Sequence, residues 1–182
     1  MTQKSVKLLV LSILFLLCPI NSNSSFSEGS TTNRFDRITS ILNEETEFAY
    51  LSNKIAELES KGKDWTVINN IGCMGLYQFK ESTLRDLGFK VSLKEFRATP
   101  EVFPINMQNK ALKAYLKYNE RLLKKHIEKY AGKEIHGRIL SKNQILAAAH
   151  FAGAGNVKKY FRTGKVSKDL YHSTLITYTK NI

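Results

Sequence analysis

The sequence predicts a mostly α-helical domain with at most a small β element, and three observations predict it. Apolar residues recur at three- and four-residue intervals over two long stretches, Phe35 to Leu58 and Met107 to Tyr130. Residues that start and stop helices punctuate the chain around and after those stretches. Only one short segment, Trp65 to Gly72, has the β-branched and aromatic make-up of a strand.

In the first stretch, Phe35, Ile38, Ile41 and Leu42 are followed by Phe48, Ala49, Leu51, Ile55, Ala56 and Leu58. This spacing predicts one bent helix or two, ending between Glu59 and Gly62, with Gly62 as the stop. The Trp65–Gly72 segment is either a short strand or an extended loop. Glu81 to Leu87 is a short helix closed by Gly88. Pro104 suits the first turn of a long helix. Its apolar face is Met107, Ala111, Leu112, Tyr115, Leu116, Leu122, Leu123, Ile127 and Tyr130, and Gly132 is its stop. Ser141 is a good N-cap for a helix over Ile145 to Ala152, which Gly153 ends. Two shorter helices are expected near Val157 to Phe161 and Thr174 to Lys180.

The first residues bear on location. Lys4 and Lys7 precede the apolar run Leu8 to Leu17, and Cys18, Pro19 and a Ser/Asn-rich stretch follow. That order reads as a cleavable secretory signal over residues 1–24, with a flexible lead over 25–32 and one domain over 33–182. The apolar run is short for a bilayer span. An N-terminal anchor is the alternative. Leu16 and Leu17 stand before Cys18 where lipidation needs a small residue. Signal removal leaves Cys73 as the remaining one of two cysteines, so no intramolecular disulfide is expected.

The chain of 182 residues has 28 Lys+Arg against 16 Asp+Glu, a net charge of +12. Losing Lys4 and Lys7, with no acid beside them, takes that from +12 to +10. A strongly basic protein is drawn to polyanions: nucleic acid, anionic membrane or anionic cell wall. For an exported protein the wall is the favoured partner. No nucleic acid and no stable membrane insertion after signal cleavage are expected. Lysines cluster between Lys110 and Lys133 and again at Lys158, Lys159, Arg162, Lys165 and Lys168. The four histidines, His126, His136, His150 and His172, lack the pairing of a zinc helix. No phosphate-binding loop or dinucleotide fingerprint is present, so no metal and no cofactor is expected.

The chemistry-bearing constellation is Glu59-Ser60, then Trp65, then Gly72-Cys73-Met74-Gly75-Leu76-Tyr77-Gln78-Phe79. Cleaving a glycosidic bond requires a proton delivered to a poor leaving oxygen. A carboxyl does this near neutral pH when apolar surroundings raise its pKa. Glu59 sits at the end of an apolar helix, before an aromatic and a glycine-rich apolar loop. Glu57 lies about 200° around the helix from Glu59, so the two cannot face one cleft. On composition alone Glu59 reads first as an ordinary solvated residue at a helix end.

Glu-Ser, an aromatic, Gly-x-x-Gly-x-x-Gln and a later Ala-Ala-x-x-Ala-Gly-x-Gly segment resemble the lysozyme-like lytic transglycosylases. The later segment here is Ala148-Ala149-His150-Phe151-Ala152-Gly153-Ala154-Gly155. The resemblance covers roughly residues 45 to 180 and implies a lysozyme-like α-helical fold. It implies Glu59 as catalytic acid, with Ser60, Trp65, Gly75, Tyr77, Gln78, His150 and Tyr178 about the substrate. Gly72 and Gly75 would let backbone approach a sugar ring, and the Gln78 amide would serve an N-acetyl or hydroxyl group. His150 and Phe151 replace the family's Tyr and Asn. This departure removes an amide, for which His150 is an alternative donor. Tyr178 is the best match to a family tyrosine near the acid, with Tyr171 behind it.

The expectation is an exported bacterial enzyme, periplasmic or secreted. It would cleave the β-1,4 bond between N-acetylmuramic acid and N-acetylglucosamine in peptidoglycan glycan strands, leaving a 1,6-anhydro product. Asp64 and Glu81, the other acids near the motifs, hold no family catalytic position. The alternatives are a weak or inactive peptidoglycan-binding protein and a true hydrolytic lysozyme. Nothing in the sequence names a protein partner.

Overall fold

The computed structural model describes residues 28–62, 64–165, 179–180 and 182. The expected signal, Tyr171, Tyr178 and most of the expected terminal helix lie outside the described residues. The chain is mostly helical with one small two-stranded sheet. Its described residues fall into two units, divided between Ile41 and Leu42. All elements below except the first half of α1 belong to the second unit.

Helix α1 is a single element, Glu28–Ser60, that starts inside the stretch expected to be a flexible lead. Composition misreads residues 28–32 because helix propagation is cheap once a turn is nucleated. The buried anchor of α1 is its C-terminal part, where Leu51, Ser52, Ile55 and Ala56 are buried at helical spacing. The helix ends through a backbone device. Lys61 adopts φ +57, and the Gly62 N–H donates to the Ala56 carbonyl at 2.9 Å. This six-to-one bond satisfies a carbonyl that the last turn would leave open.

Residues 64–80 form a loop with two isolated bridges, Ile68 to Met74 and Met74 to Phe79. Of the two readings offered by its composition, the extended loop is observed. Helix α2 is Glu81–Asp86 and buries Leu84. Helix α3, Leu93–Ala98, carries a capping box between Ser92 and Glu95 and buries Phe96. A 3-10 turn over Pro100–Val102 leads to α4, Ile105–Tyr130, with Pro104 at its N-cap. Gln108, Ala111, Leu112, Leu116, Asn119 and Leu123 form the buried face of α4.

Strands β1, Glu134–Ile135, and β2, Arg138–Ile139, pair antiparallel around a His136–Gly137 turn. Helix α5, Lys142–Ala152, starts at Ser141, whose side chain caps Gln144 in a second capping box. Gly153 separates it from α6, Ala154–Thr163.

The core has two clusters, and α5 serves both. Leu146 and Ala147 join the first, with Ile55, Met74, Phe79, Phe96, Phe103 and Leu112. Ile145, Ala148 and Ala149 join the second, with Leu123, Val157, Tyr160 and Phe161. Three consecutive alanines let neighbouring backbones approach α5 on both sides, as interior packing density demands. Burying each large apolar side chain here is worth about 1.5–3 kcal/mol. His150 therefore projects from a helix that joins both core clusters. Among the described residues no helix is long and apolar enough to cross a membrane.

Candidate active site

Glu59 stands in the last turn of α1, with its side chain about one-fifth exposed. Its Oε1 lies 3.7 Å from His150 Nε2 on α5, and the His150 side chain is 5% exposed. The same Nε2 lies 3.1 Å from the Tyr77 carbonyl oxygen. A carbonyl only accepts, so the proton is on Nε2 and Nδ1 is bare. Nδ1 is buried and has no hydrogen-bond partner among the described residues. Burial pushes the His150 pKa down from 6.5 to about 4, against a smaller upward pull from the Tyr77 carbonyl. The ring is neutral at pH 7.

Aromatic rings fix that imidazole. Phe79 and Tyr115 each stand 5.6 Å from it, centroid to centroid, edge to face. Phe79 and Tyr115 also meet each other at 5.9 Å. Each such pair adds about 0.5–1.5 kcal/mol beyond the buried area. Glu59 thus stands beside a ring that residues of the loop and α4 hold in place. The Cys73 thiol also feels the Glu59 charge, although burial is the larger reason that its pKa is raised.

The loop is held from within and from below. Asn69 Oδ1 accepts from the N–H groups of Ile71 and Cys73 at 3.1 and 2.9 Å. Met74, fully buried, pairs with the Phe79 backbone in both directions at 2.8 and 2.9 Å. From below, the fully buried Gln108 amide reaches up from α4. Its Oε1 accepts from Leu76 N at 2.7 Å, and its Nε2 donates to the Trp65 and Phe103 carbonyls at 2.8 Å each. Gly75 has φ +76, and a Cβ there would collide with this amide. Close approach and positive φ together demand glycine.

The expected site residues divide into two groups. Glu59, His150 and the Tyr77 backbone come together. Several side chains expected about the substrate have internal partners instead. The Tyr77 ring is 3% exposed, and its hydroxyl donates to Asn109 Oδ1 on α4 at 2.6 Å. Gln78, at φ +50, turns its amide back to the Gly75 carbonyl at 2.7 Å. The Ser60 hydroxyl donates to the Ala56 carbonyl of its own helix at 3.2 Å. Trp65 is half-buried and packs against the first core cluster. Phe151 is half-buried against the same cluster.

Gln108, Asn109 and Tyr115 are site residues that the motifs do not name, and Phe79 stands in the constellation without a role assigned to it. For Gln108 the signal was present: an amide in register with the apolar positions Ala111, Leu112, Tyr115 and Leu116.

The other acids are engaged elsewhere. Glu57 pairs with Lys54 at 3.0 Å on an exposed face. Asp64 accepts from Thr66 N and Oγ1 at 2.7 and 2.6 Å, which lowers its pKa. Glu81 accepts from Leu93 N at 2.8 Å. Among the described residues no three His, Cys, Asp or Glu side chains cluster as a metal site. Searches against protein-family models, curated proteins and solved structures find no match to this chain.

Proposed function

We propose that this chain is an exported peptidoglycan lytic transglycosylase with Glu59 as its catalytic acid and base. One observation carries the reading. Glu59 is a partly exposed carboxyl at a helix end, 3.7 Å from the buried His150 ring that Phe79 and Tyr115 pack. A carboxyl so placed can reach a substrate from the solvent side and give it a proton. A two-carboxylate route needs a second acid beside the scissile bond. Glu57, Asp64 and Glu81 have other partners, which favours the single-acid route.

In that route Glu59 gives its proton to the bridging oxygen of the N-acetylmuramic acid glycoside, and the C1–O bond breaks. The substrate's acetamido oxygen bonds to C1 as the leaving group departs. Glu59, now a carboxylate, takes the proton of the 6-hydroxyl. That oxygen attacks C1 and displaces the acetamido oxygen, leaving a 1,6-anhydro product. A group that acts as acid and then base works best with a pKa near the operating pH. The lysine- and arginine-rich outer face of α4, around Lys117, Arg121 and Lys124, suits an anionic wall.

A second reading is a wall-binding protein without turnover. It is favoured by the internal engagement of Tyr77 and Gln78 and by Phe151 in place of an amide. Digestion of purified peptidoglycan by wild type and Glu59→Gln, with products read by mass spectrometry, separates the readings. Anhydro-ended products absent from the variant support the transglycosylase. Reducing-end products absent from the variant make it a hydrolase with the same acid. No products from folded wild type that still binds wall leave the binding protein.

A further inference from the structure

We propose that His150 is a positioning residue whose single Nε2 proton changes acceptor, from the Tyr77 carbonyl to the Glu59 carboxylate, as the acid gives up its proton. The inference rests on the reading of Glu59 as the acid.

His150 offers one N–H to two acceptors. Tyr77 O holds it at 3.1 Å, and Glu59 Oε1 stands at 3.7 Å, in reach but beyond a hydrogen bond. A neutral carboxyl competes poorly with a backbone carbonyl for that proton. A carboxylate competes well, because charge-assisted bonds are shorter and roughly twice as strong. The donor therefore gains most once Glu59 has protonated the leaving oxygen. A contact that strengthens in this way lowers the barrier rather than the ground state.

The surroundings fit such a device. The ring sits between Phe79 and Tyr115, so it can tilt little and keeps both acceptors in range. A neutral imidazole adds no charge beside Glu59, whereas a lysine or arginine at this distance would hold it permanently ionised. Nδ1 has no partner among the described residues. A buried polar atom left unsatisfied costs stability, and phenylalanine would fit the same edge-to-face cluster without it. The groups that face His150 are Glu59 from α1, the Tyr77 carbonyl from the loop and Tyr115 from α4; the charges of Glu59 and Lys80 both act on Cys73.

Two readouts test this on the full chain. The first is steady-state kinetics on soluble glycan strands for wild type, His150→Phe and His150→Gln, with thermal melts for each. His150→Phe keeps the packing and removes the donor. Its kcat is expected to fall by roughly ten- to a hundredfold, with KM little changed. His150→Gln carries an amide N–H at nearly the same reach and is expected to recover most of kcat. A folded His150→Phe with wild-type kcat, or a folded His150→Gln as impaired as Phe, overturns the proposal.

The second readout needs neither turnover nor a folded variant at 150. In an NMR pH titration of histidine-labelled protein, the His150 Nε2–H resonance is expected to move downfield as Glu59 ionises. In Glu59→Gln only the movement caused by the protonation of His150 itself is expected to remain. A resonance that stays fixed in wild type across the ionisation of Glu59 overturns the donor exchange. Wild type that cleaves no glycan removes the functional reading instead, and leaves the NMR result standing by itself.

Discussion

Gly75 and Gln108 fit together so closely that a Cβ on the glycine would stand 2.7 Å from the Gln108 Cδ and 2.8 Å from its Nε2. The glycine is on the site loop and the glutamine on α4, so this contact sets how near the loop lies to the helix. Gly75→Ala meets two penalties. An L residue at φ +76 costs roughly 1–2 kcal/mol, and a clash with a fully buried amide adds about 1–3 kcal/mol. Gly88 has φ +86 but nothing within 4 Å of a Cβ, so Gly88→Ala carries only the first penalty. Urea unfolding of both variants is expected to show Gly75→Ala as the weaker by at least about 1 kcal/mol.

Gln108→Leu keeps the volume and removes three hydrogen bonds at once. The Leu76 N–H and the Trp65 and Phe103 carbonyls lose their buried partner. Stranded polar groups cost about 1–3 kcal/mol each, so a loss of at least about 3 kcal/mol is expected. Trp65 is the chain's single tryptophan, so its fluorescence reports the loop directly. A shifted emission maximum at a temperature where the variant is still folded is the expected signature. Unchanged stability and emission would mean that the loop holds without the amide.

Punctuation made most of the fold legible. Pro104, Gly132, Ser141 and Gly153 bracket α4 and α5 as their residue types predict. Helix α3 is as short as α2 but lacks the closing glycine that marks α2. Its signals are Ser92 with Glu95 three residues on, and Pro100 just beyond its end. The hairpin escaped because its signal is a His136–Gly137 dipeptide, both at positive φ, between two-residue strands.

The candidate site was legible only in part, for a physical reason. A motif states which residues occur together, not which way their side chains point. Tyr77 and Gln78 stand beside the acid in sequence, yet their polar atoms bond to Asn109 and Gly75. Gln108 lies 32 residues beyond Leu76, and no local period encodes a contact of that span.

Tyr77→Phe separates scaffold from sugar contact. It removes the hydroxyl bond to Asn109 and keeps the buried ring and the carbonyl that His150 uses. Asn109 is exposed and water can replace its partner, and the buried Ser52 hydroxyl beside the ring keeps its bond to the Ala49 carbonyl, so a cost of about 1 kcal/mol is expected in a thermal melt. On glycan strands kcat and KM should both stay close to wild type. A large rise in KM would show that the hydroxyl leaves Asn109 to meet the substrate.

His150 also makes a prediction about acid stability. Burial holds its pKa at about 4 against 6.5 for an unperturbed ring. Between those values the unfolded chain binds a proton that the folded chain does not. Stability from this source is therefore fully present above pH 6.5 and is lost as pH falls through about 4. At about 1.4 kcal/mol per pH unit, the loss approaches 3 kcal/mol. The wild-type curve carries the contribution of every group, so wild type alone does not isolate the ring. His150→Gln removes the ring and keeps a donor, so the difference between the two proteins reports His150. Urea unfolding from pH 7 to pH 4 is expected to destabilise wild type by about 3 kcal/mol more than the variant. Parallel curves would mean that the ring takes up its proton without leaving its place beside Glu59.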